Sequence, residues 1–148
     1  MAQPEKSESQ LNPVGHAMIG DTLTTPIVQC DLLEEIQRLH KEDAWLQGTG
    51  PSSKTLVKHP DLRVVLLAMR KNTSMHEHRA AASISVQTLA GHIHLKLPDR
   101  IVELPAGRLL VLDQCVPHDL EAKEDSDFLL TLSWHGEESD KCEAGQRK

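Results

Sequence analysis

The most constraining feature of the sequence is a series of short apolar or alternating segments between residues 54 and 134, separated by glycine, proline and charged turns. Alternate side chains of a β-strand face opposite sides, so Ile93, Leu95 and Leu97 would share one face. Several short strands at regular spacing predict a sandwich or a barrel. The predicted strands span residues 63–69, 84–89, 92–97, 101–104, 108–112, 118–122 and 128–134.

Residues 31–46 form the one segment with clear helical periodicity. Asp31 is a good N-cap, Glu34 completes a variant of the capping box, and Gly48 supplies the stop. Polar residues such as Glu35 are expected on the outer face, and the apolar stripe is expected to pack on the barrel or on a partner subunit. The stripe consists of Leu32, Leu33, Ile36, Leu39 and Leu46.

The 148 residues suffice for one domain with a proper core, and no internal repeat is visible. Residues 1–25 are polar and lack periodicity, which predicts a flexible N-terminal arm, and residues 26–50 hold the helix and its connection. The predicted barrel covers residues 54–135. The charged residues 136–148 are predicted to be a disordered C-terminal tail.

Charge and composition narrow the classes of function. The net charge of −6 argues against a nucleic-acid partner, which normally requires a basic face. No apolar run could span a bilayer and the N-terminus lacks the apolar core of a signal peptide, so we expect no membrane partner and a cytoplasmic location. Cys30, Cys115 and Cys142 form no CxxC pair, which indicates neither a disulfide framework nor a zinc ribbon.

The candidate functional site begins with the run His76-Glu-His78. If these residues lie on a strand, both imidazoles project to one side and can share a metal ion, with His118 as a third ligand from elsewhere in the fold. Three histidines around an open position suit Zn, Fe, Ni, Cu or Mn. The competing interpretation is two polar histidines in an exposed loop and a hydrogen-bonded histidine at the turn after Pro117.

From residue 63 to residue 134 the chain resembles a small single-domain cupin, of a bacterial subgroup of largely unassigned function. The first cupin motif begins with His-x-His, continues with a glutamate, and ends with a glycine seven residues after that glutamate. His76, His78 and Gly91 match this motif. The glutamate position falls on Ile84, so the usual carboxylate ligand is missing.

The second cupin motif runs from a glycine through a Pro-x-Gly turn to a histidine and then an asparagine. Gly107 and His118 stand at the family spacing. Three positions depart from the motif, because Asp113 replaces the proline, Cys115 the glycine and Ala122 the asparagine.

The resemblance implies an all-β fold, the cupin double-stranded β-helix or jelly-roll barrel, here with one N-terminal α-helix. It implies a metal centre of His76, His78 and His118 that holds a divalent transition metal (Fe, Mn, Zn, Ni or Cu). Without the glutamate, the site is either a three-histidine centre, as in the thiol dioxygenase branch, or one with weakened or lost metal binding. Those dioxygenases also use a tyrosine, which this chain lacks. A homodimer is a family expectation, supported by the exposed strand edges of such barrels.

Three functions stay open. The first is a metal-dependent enzyme of dioxygenase or isomerase type that acts on a small molecule. The second is a non-catalytic small-ligand-binding or sensing module, and the third is a structural dimer in which the histidines are remnants. Bound metal of defined stoichiometry favours the first, and ligand stabilisation of a metal-free protein favours the second. The apolar pocket of the second would be lined by Ile84, Val86, Leu110 and Leu112.

Other polar residues are expected to have structural roles only. His92 and His94 share a strand face opposite two apolar residues, which favours a solvent-facing pair on a polar sheet face. Cys115 is expected to be a buried, unreactive cysteine. His40 is expected to be a polar surface residue.

Overall fold

Nine strands and two helices lie in the part of the chain that the computed structural model describes, residues 24–78, 80–134 and 142 without the side chains of Glu77 and His78. The predicted arm and tail therefore fall outside the described residues, except at residues 24, 25 and 142. The helices are α1 (Leu32–Leu39) and α2 (Asp43–Gln47). The strands are β1 (Ser52–Lys58), β2 (Leu62–Met69), β3 (Ser74–His78), β4 (Ser83–Ala90), β5 (His92–Lys96), β6 (Ile101–Pro105), β7 (Leu109–Leu112), β8 (His118–Ala122) and β9 (Ser126–Ser133).

The strands form two antiparallel sheets. The order in the first sheet is β1-β2-β9-β4-β7, and the order in the second sheet is β3-β8-β5-β6. From β3 onward nearly every connection crosses from one sheet to the other, and the β5–β6 hairpin is the exception. This double-sheet arrangement confirms the predicted all-β jelly-roll barrel.

The main core lies between the two sheets and is built from their inward-facing side chains. Phe128, Ile93 and Leu95 are fully buried within it. The alternation predicted along β5 is confirmed, because His92 and His94 are only half-buried while their apolar neighbours are inaccessible. Burial of large apolar side chains of this kind is the main favourable term in folding.

The N-terminal segment forms two short helices instead of the single helix predicted over residues 31–46. Asp31 is the N-cap as predicted, and its carboxylate accepts a hydrogen bond from the backbone N–H of Glu34. The first helix ends before His40, whose ring lies 2.7 Å from Asp127 on β9 and stacks on the Trp45 ring. Neither helix is long and apolar enough to cross a membrane, within the part of the chain that is described.

A second apolar cluster lies between α1 and the outer face of the first sheet. Leu39 and Trp45 are buried there against Leu66 of β2. The predicted stripe is therefore right for Leu39. It is wrong for Leu33 and Leu46, which are 72% and 60% exposed. Leu33 lies off the face of α1 that buries Glu35 and Leu39, and Leu46 lies in α2, beyond the break that follows α1.

Glu35 is buried, which corrects its predicted place on the outer face of the helix. Its carboxylate lies 2.8 Å from the Lys54 ammonium on β1 and 3.2 Å from the Arg38 guanidinium. The two cations compensate the desolvated carboxylate, so Glu35 fastens α1 to the sheet.

Candidate functional site

His118 begins β8 on the face that points into the barrel. Along this strand His118, Leu120 and Ala122 are buried, while the residues between them are half-buried. The Nδ1 atom of His118 donates to the carbonyl oxygen of Val116 at 2.9 Å. In a neutral imidazole this hydrogen bond orients the ring and leaves the nitrogen lone pair on Nε2, which is the form that a metal ligand requires.

His78 lies directly opposite His118 in the pairing of β3 with β8. The strand location assumed for the histidine pair is thereby confirmed, since His76 and His78 both belong to β3. The backbone register brings two positions of the predicted metal centre together. The side chain of His78 itself lies outside the described residues.

His76 has a different environment from His118. A bulge interrupts β3 between Met75 and His78, and a bulge changes the face to which the following side chains point. Met75 packs against the core, whereas His76 is exposed and lines a cavity of about 110 Å³ with His94 and Lys96. The prediction that both histidines share one face assumed regular alternation along β3, and the bulge interrupts that alternation. The three-histidine ligand set stays a prediction.

A groove of about 360 Å³ lies beside His118, where β5 ends and β8 begins. Within it Asp119 is half-buried, and its Oδ1 atom is buried without a hydrogen-bond partner among the described residues. A small molecule in this groove can therefore meet an imidazole, an ammonium and a carboxylate. The lining residues are Lys96, Leu97, Pro98, Pro117, His118 and Asp119.

A second group of possible metal ligands lies on the outer face of the β5–β6 hairpin. His92, His94 and Glu103 place one ligand atom each within 4.8 Å of one another. The outward direction expected for the two histidines is confirmed, but both rings are half-buried beside a carboxylate and are not a simple solvated pair.

Comparison with known proteins rests on structure. No family model matches the sequence, and no curated protein sequence matches it. A cupin superfamily protein from Desulfitobacterium hafniense is similar over 57% of this chain and 78% of that chain, with a TM-score of 0.56 and 15% identity. A cupin-2 domain protein from Shewanella frigidimarina is similar over 70% of this chain and 92% of that chain, with a TM-score of 0.56 and 15% identity. This protein has the fold of a small cupin.

A larger cupin-fold neighbour is salicylate 1,2-dioxygenase from Pseudoaminobacter salicylatoxidans. The similarity covers 79% of this chain and 38% of that chain, with a TM-score of 0.67 and 17% identity. At these identities the likeness establishes the fold alone. The resemblance read from residues 63–134 is therefore confirmed as a fold, and the activity has to be argued from the site.

Ile84 occupies the glutamate position of the first cupin motif and is 5% exposed within the core. On β4 it lies opposite Leu112 and Leu132 of the neighbouring strands. Val86 is also buried in the core, and Leu110 packs against it. The side chains expected to line an apolar pocket thus pack against one another in the core.

Cys115, at the turn-glycine position of the second cupin motif, keeps a positive φ of 65° and forms a disulfide with Cys142. The number and spacing of the cysteines indicated no disulfide framework, and this single bond was not predicted. The two residues are 27 positions apart in the chain, and only folding brings them together. Cys30 is a free cysteine, and burial, helped by the Glu35 carboxylate, raises the pKa of its thiol and keeps it protonated.

Sequence reasoning missed Glu103 and Asp119 as candidate site residues. Glu103 joins the histidines only through the register of the β5–β6 hairpin, in which it lies directly opposite His94. The sequence did contain a signal for this cluster. It has a His-x-His strand, then a short turn, then a strand with an outward carboxylate. The burial of one Asp119 oxygen had no signal in the sequence, because it depends on packing around the groove.

Proposed function

We propose that this small cupin binds a divalent transition metal at His78 and His118 and acts on a small molecule held in the adjoining groove, as an enzyme of dioxygenase or isomerase type. The observation that carries the proposal is the register of β3 and β8, in which these two histidine positions are direct partners. His76 is the predicted third ligand. His76 lines the outer cavity, so its side chain would have to turn toward His78 and His118 to bind the same metal.

The residues around His118 fit a metal of the Fe, Mn, Zn, Ni or Cu group. Metal-bound imidazoles usually donate their second ring N–H to a carbonyl or a carboxylate, as His118 does toward Val116. A bound metal would supply Lewis acidity or, if it is iron, oxygen binding. Neutral imidazole ligands suit borderline metals better than calcium or magnesium.

The groove residues have distinct tasks in this proposal. The ammonium of Lys96 attracts a small anionic molecule, and the apolar walls of Leu97, Pro98 and Pro117 exclude water from one side of it. The carboxylate of Asp119 accepts a proton or a hydrogen bond from the ligand, because its buried oxygen lacks a partner among the described residues.

The test is elemental analysis of tag-free protein, with and without reconstitution with Fe, Mn, Zn, Ni and Cu. The measurement is made in a His94→Gln background, so that the outer-face cluster does not contribute. About one metal ion per chain is expected, with loss in both the His78→Ala and the His118→Ala variants. The same content in these variants, or no metal after reconstitution, would sink the proposal. A His76→Ala variant tests the third ligand separately.

A second candidate function is a non-catalytic cupin that binds or senses a small ligand. It is favoured by Ile84, which replaces the metal-binding carboxylate with a buried apolar side chain. In that case metal-free protein gains thermal stability with small organic acids or sugars. Thermal shift measurements on chelator-treated protein decide between the two functions, since the metalloenzyme predicts stabilisation only after metal is restored.

The proposed assembly is a homodimer, and the proposed location is the cytoplasm. Leu109 and Val111 support the dimer, because they are 60% and 62% exposed on β7, an edge strand of the first sheet. An apolar edge strand is a natural surface for a second copy of the chain. Light scattering should give twice the monomer mass for the wild type and the monomer mass for Val111→Lys.

A further inference from the structure

The outer face of the β5–β6 hairpin carries His92, His94 and Glu103 close together. Glu103 is the direct cross-strand partner of His94, and His92 precedes His94 by two residues on the same face. The rings of the two histidines are 5.2 Å apart between centroids and inclined by 62°. The rings are therefore not stacked, and one nitrogen of each lies within 4.8 Å of a Glu103 carboxylate oxygen.

The Nε2 atom of His92 is buried and has no hydrogen-bond partner among the described residues. Its distance to Oε1 of Glu103 is 3.6 Å, too long for a hydrogen bond. Two ligand atoms that share one tetrahedral ion, each about 2.1 Å from it, are separated by about 3.4 Å. The separation of these two atoms thus matches a shared ion better than a direct hydrogen bond. A bound ion would also give the buried Nε2 atom of His92 a partner.

The strand that carries the histidines is held firmly. β5 pairs with β6 on one side and with β8 on the other. The backbone N–H of His92 donates to the hydroxyl of the fully buried Ser126 at 2.9 Å, and the Lys123 N–H donates to the His92 carbonyl oxygen at 2.8 Å. Ligands on a central strand with satisfied backbone groups are preorganised, which lowers the entropy lost on metal binding.

We propose that His92, His94 and Glu103 form a divalent transition-metal site, separate from the site inside the barrel and suited to Zn²⁺. Two imidazoles and one carboxylate are a known zinc ligand set that keeps a fourth position open. His94 also lines the 110 Å³ cavity, together with His76 and Lys96. His94 thus places the site at the edge of this cavity, from which water or a small anion can complete the coordination.

The test is isothermal titration of the chelator-treated full chain with zinc alone, in a His118→Gln background that disables the inner site. One zinc ion per chain is expected. His94→Gln and Glu103→Gln should each weaken zinc binding by about 100-fold or more, since even the loss of outer partners of a metal ligand costs 10–100-fold. Cobalt in place of zinc should give the visible absorption of a four-coordinate site, and Glu103→Gln should abolish it.

Glu121→Gln is the matched control. Glu121 lies opposite His94 on the other side, on β8, and its substitution removes the same charge from the same sheet face without touching the ligand set. It should leave zinc affinity within about threefold of the background, since a nearby surface charge changes affinity by little. Equal affinities for Glu103→Gln and Glu121→Gln, or no zinc bound in the background, would overturn this proposal. If the proposed site at His78 and His118 binds no metal, the wild type and His118→Gln will have the same metal content. This outcome is distinct from the loss of zinc binding at Glu103.

Discussion

Gly91, the glycine of the first cupin motif, occupies a position where a side chain would not fit. Its φ is +88°, and a methyl group built on it would overlap the Asp125 carbonyl oxygen and the Ser126 side chain. Ser126 is fully buried and bonded to both backbone groups of His92. Only a residue without a Cβ lets the β4–β5 turn approach the start of β9 so closely.

Gly91→Ala and Gly107→Ala separate backbone strain from steric overlap. Gly107 has a φ of +92° but nothing within 4 Å of an added Cβ atom. Gly107→Ala should therefore cost about 1–2 kcal/mol from strain alone, and Gly91→Ala at least about 2 kcal/mol more from overlap with backbone atoms. Urea unfolding measures both. Equal losses would mean that the close approach at Gly91 is easily relaxed.

Asp127 is a buried carboxyl on β9 whose Oδ1 atom lies 2.7 Å from Nε2 of His40. Burial raises its pKa above the ordinary value of 3.8, and the hydrogen bond to His40 opposes this rise. His40 was expected to be a polar surface residue, but it connects the end of α1 to the barrel.

The raised pKa of Asp127 predicts the sign of a pH effect. The folded protein holds the proton more tightly than the unfolded chain does. The stabilisation from Asp127 is therefore complete below about pH 3.8 and is lost as the pH rises through the raised pKa. As the pH rises from about 3.8 through the raised pKa, the free energy of unfolding of the wild type should fall relative to that of Asp127→Asn. Urea unfolding at a series of pH values measures this difference. A His40→Gln background removes the opposing hydrogen bond and should enlarge the effect, and a pH-independent difference would contradict the prediction.

Among the secondary-structure elements, α1 is attached to the first sheet by an apolar face and by one buried carboxylate. Leu39 is 1% exposed in the cluster with Leu66, while Glu35 bridges Lys54 and Arg38. The short helix has only eight residues, so its own hydrogen bonds could not keep it folded in water. Packing on the barrel therefore supplies most of its stability.

Leu39→Ala and Leu33→Ala test this attachment with the same substitution on the same helix. Leu39→Ala should destabilise the protein by about 2–4 kcal/mol, because it leaves a cavity in the cluster under α1. Leu33 is 72% exposed, and its substitution should change stability by less than about 0.5 kcal/mol. Thermal and urea unfolding give both values. A small effect of Leu39→Ala would mean that α1 is held mainly by the Glu35 ion pairs.

At the scale of the whole molecule, the Cys115–Cys142 disulfide ties a residue beyond the last strand to the turn that precedes His118. It bears on the predicted cytoplasmic location, because reducing agents keep most cytoplasmic cysteines as thiols. In that compartment the disulfide could be present only under oxidising conditions. Its state would then affect the turn beside the proposed metal site.

Thiol titration of the denatured protein tests the disulfide. One thiol, that of Cys30, should react before reduction and three after it. Closing a chain of 27 residues should stabilise the protein by roughly 3 kcal/mol, so Cys115→Ser should lower the urea midpoint. Cys30→Ser is the control and should leave it nearly unchanged. Three reactive thiols in freshly purified protein would show that the bond does not form in the cell.

Most of the strands, the turns and the barrel fold were predicted from the sequence, but β1 was not among the predicted strands. Alternation such as that of Ile93 and Leu95, and glycines such as Gly91 and Gly107, are local signals that act through side-chain direction and backbone freedom. The cap at Asp31 and the stop at Gly48 were equally local, and both are observed. These features depend on a few neighbouring residues, which is why they were predicted correctly.

Which of these side chains meet depends on tertiary packing. The bulge in β3 breaks the alternation between His76, which lines the outer cavity, and His78, which pairs with His118, while the hairpin register places Glu103 beside His94. Contacts between distant parts of the chain joined His40 to Asp127 and Cys115 to a cysteine of the predicted tail. A shift of one residue in register moves a side chain to the opposite face of a sheet, and register depends on the pairing of distant strands.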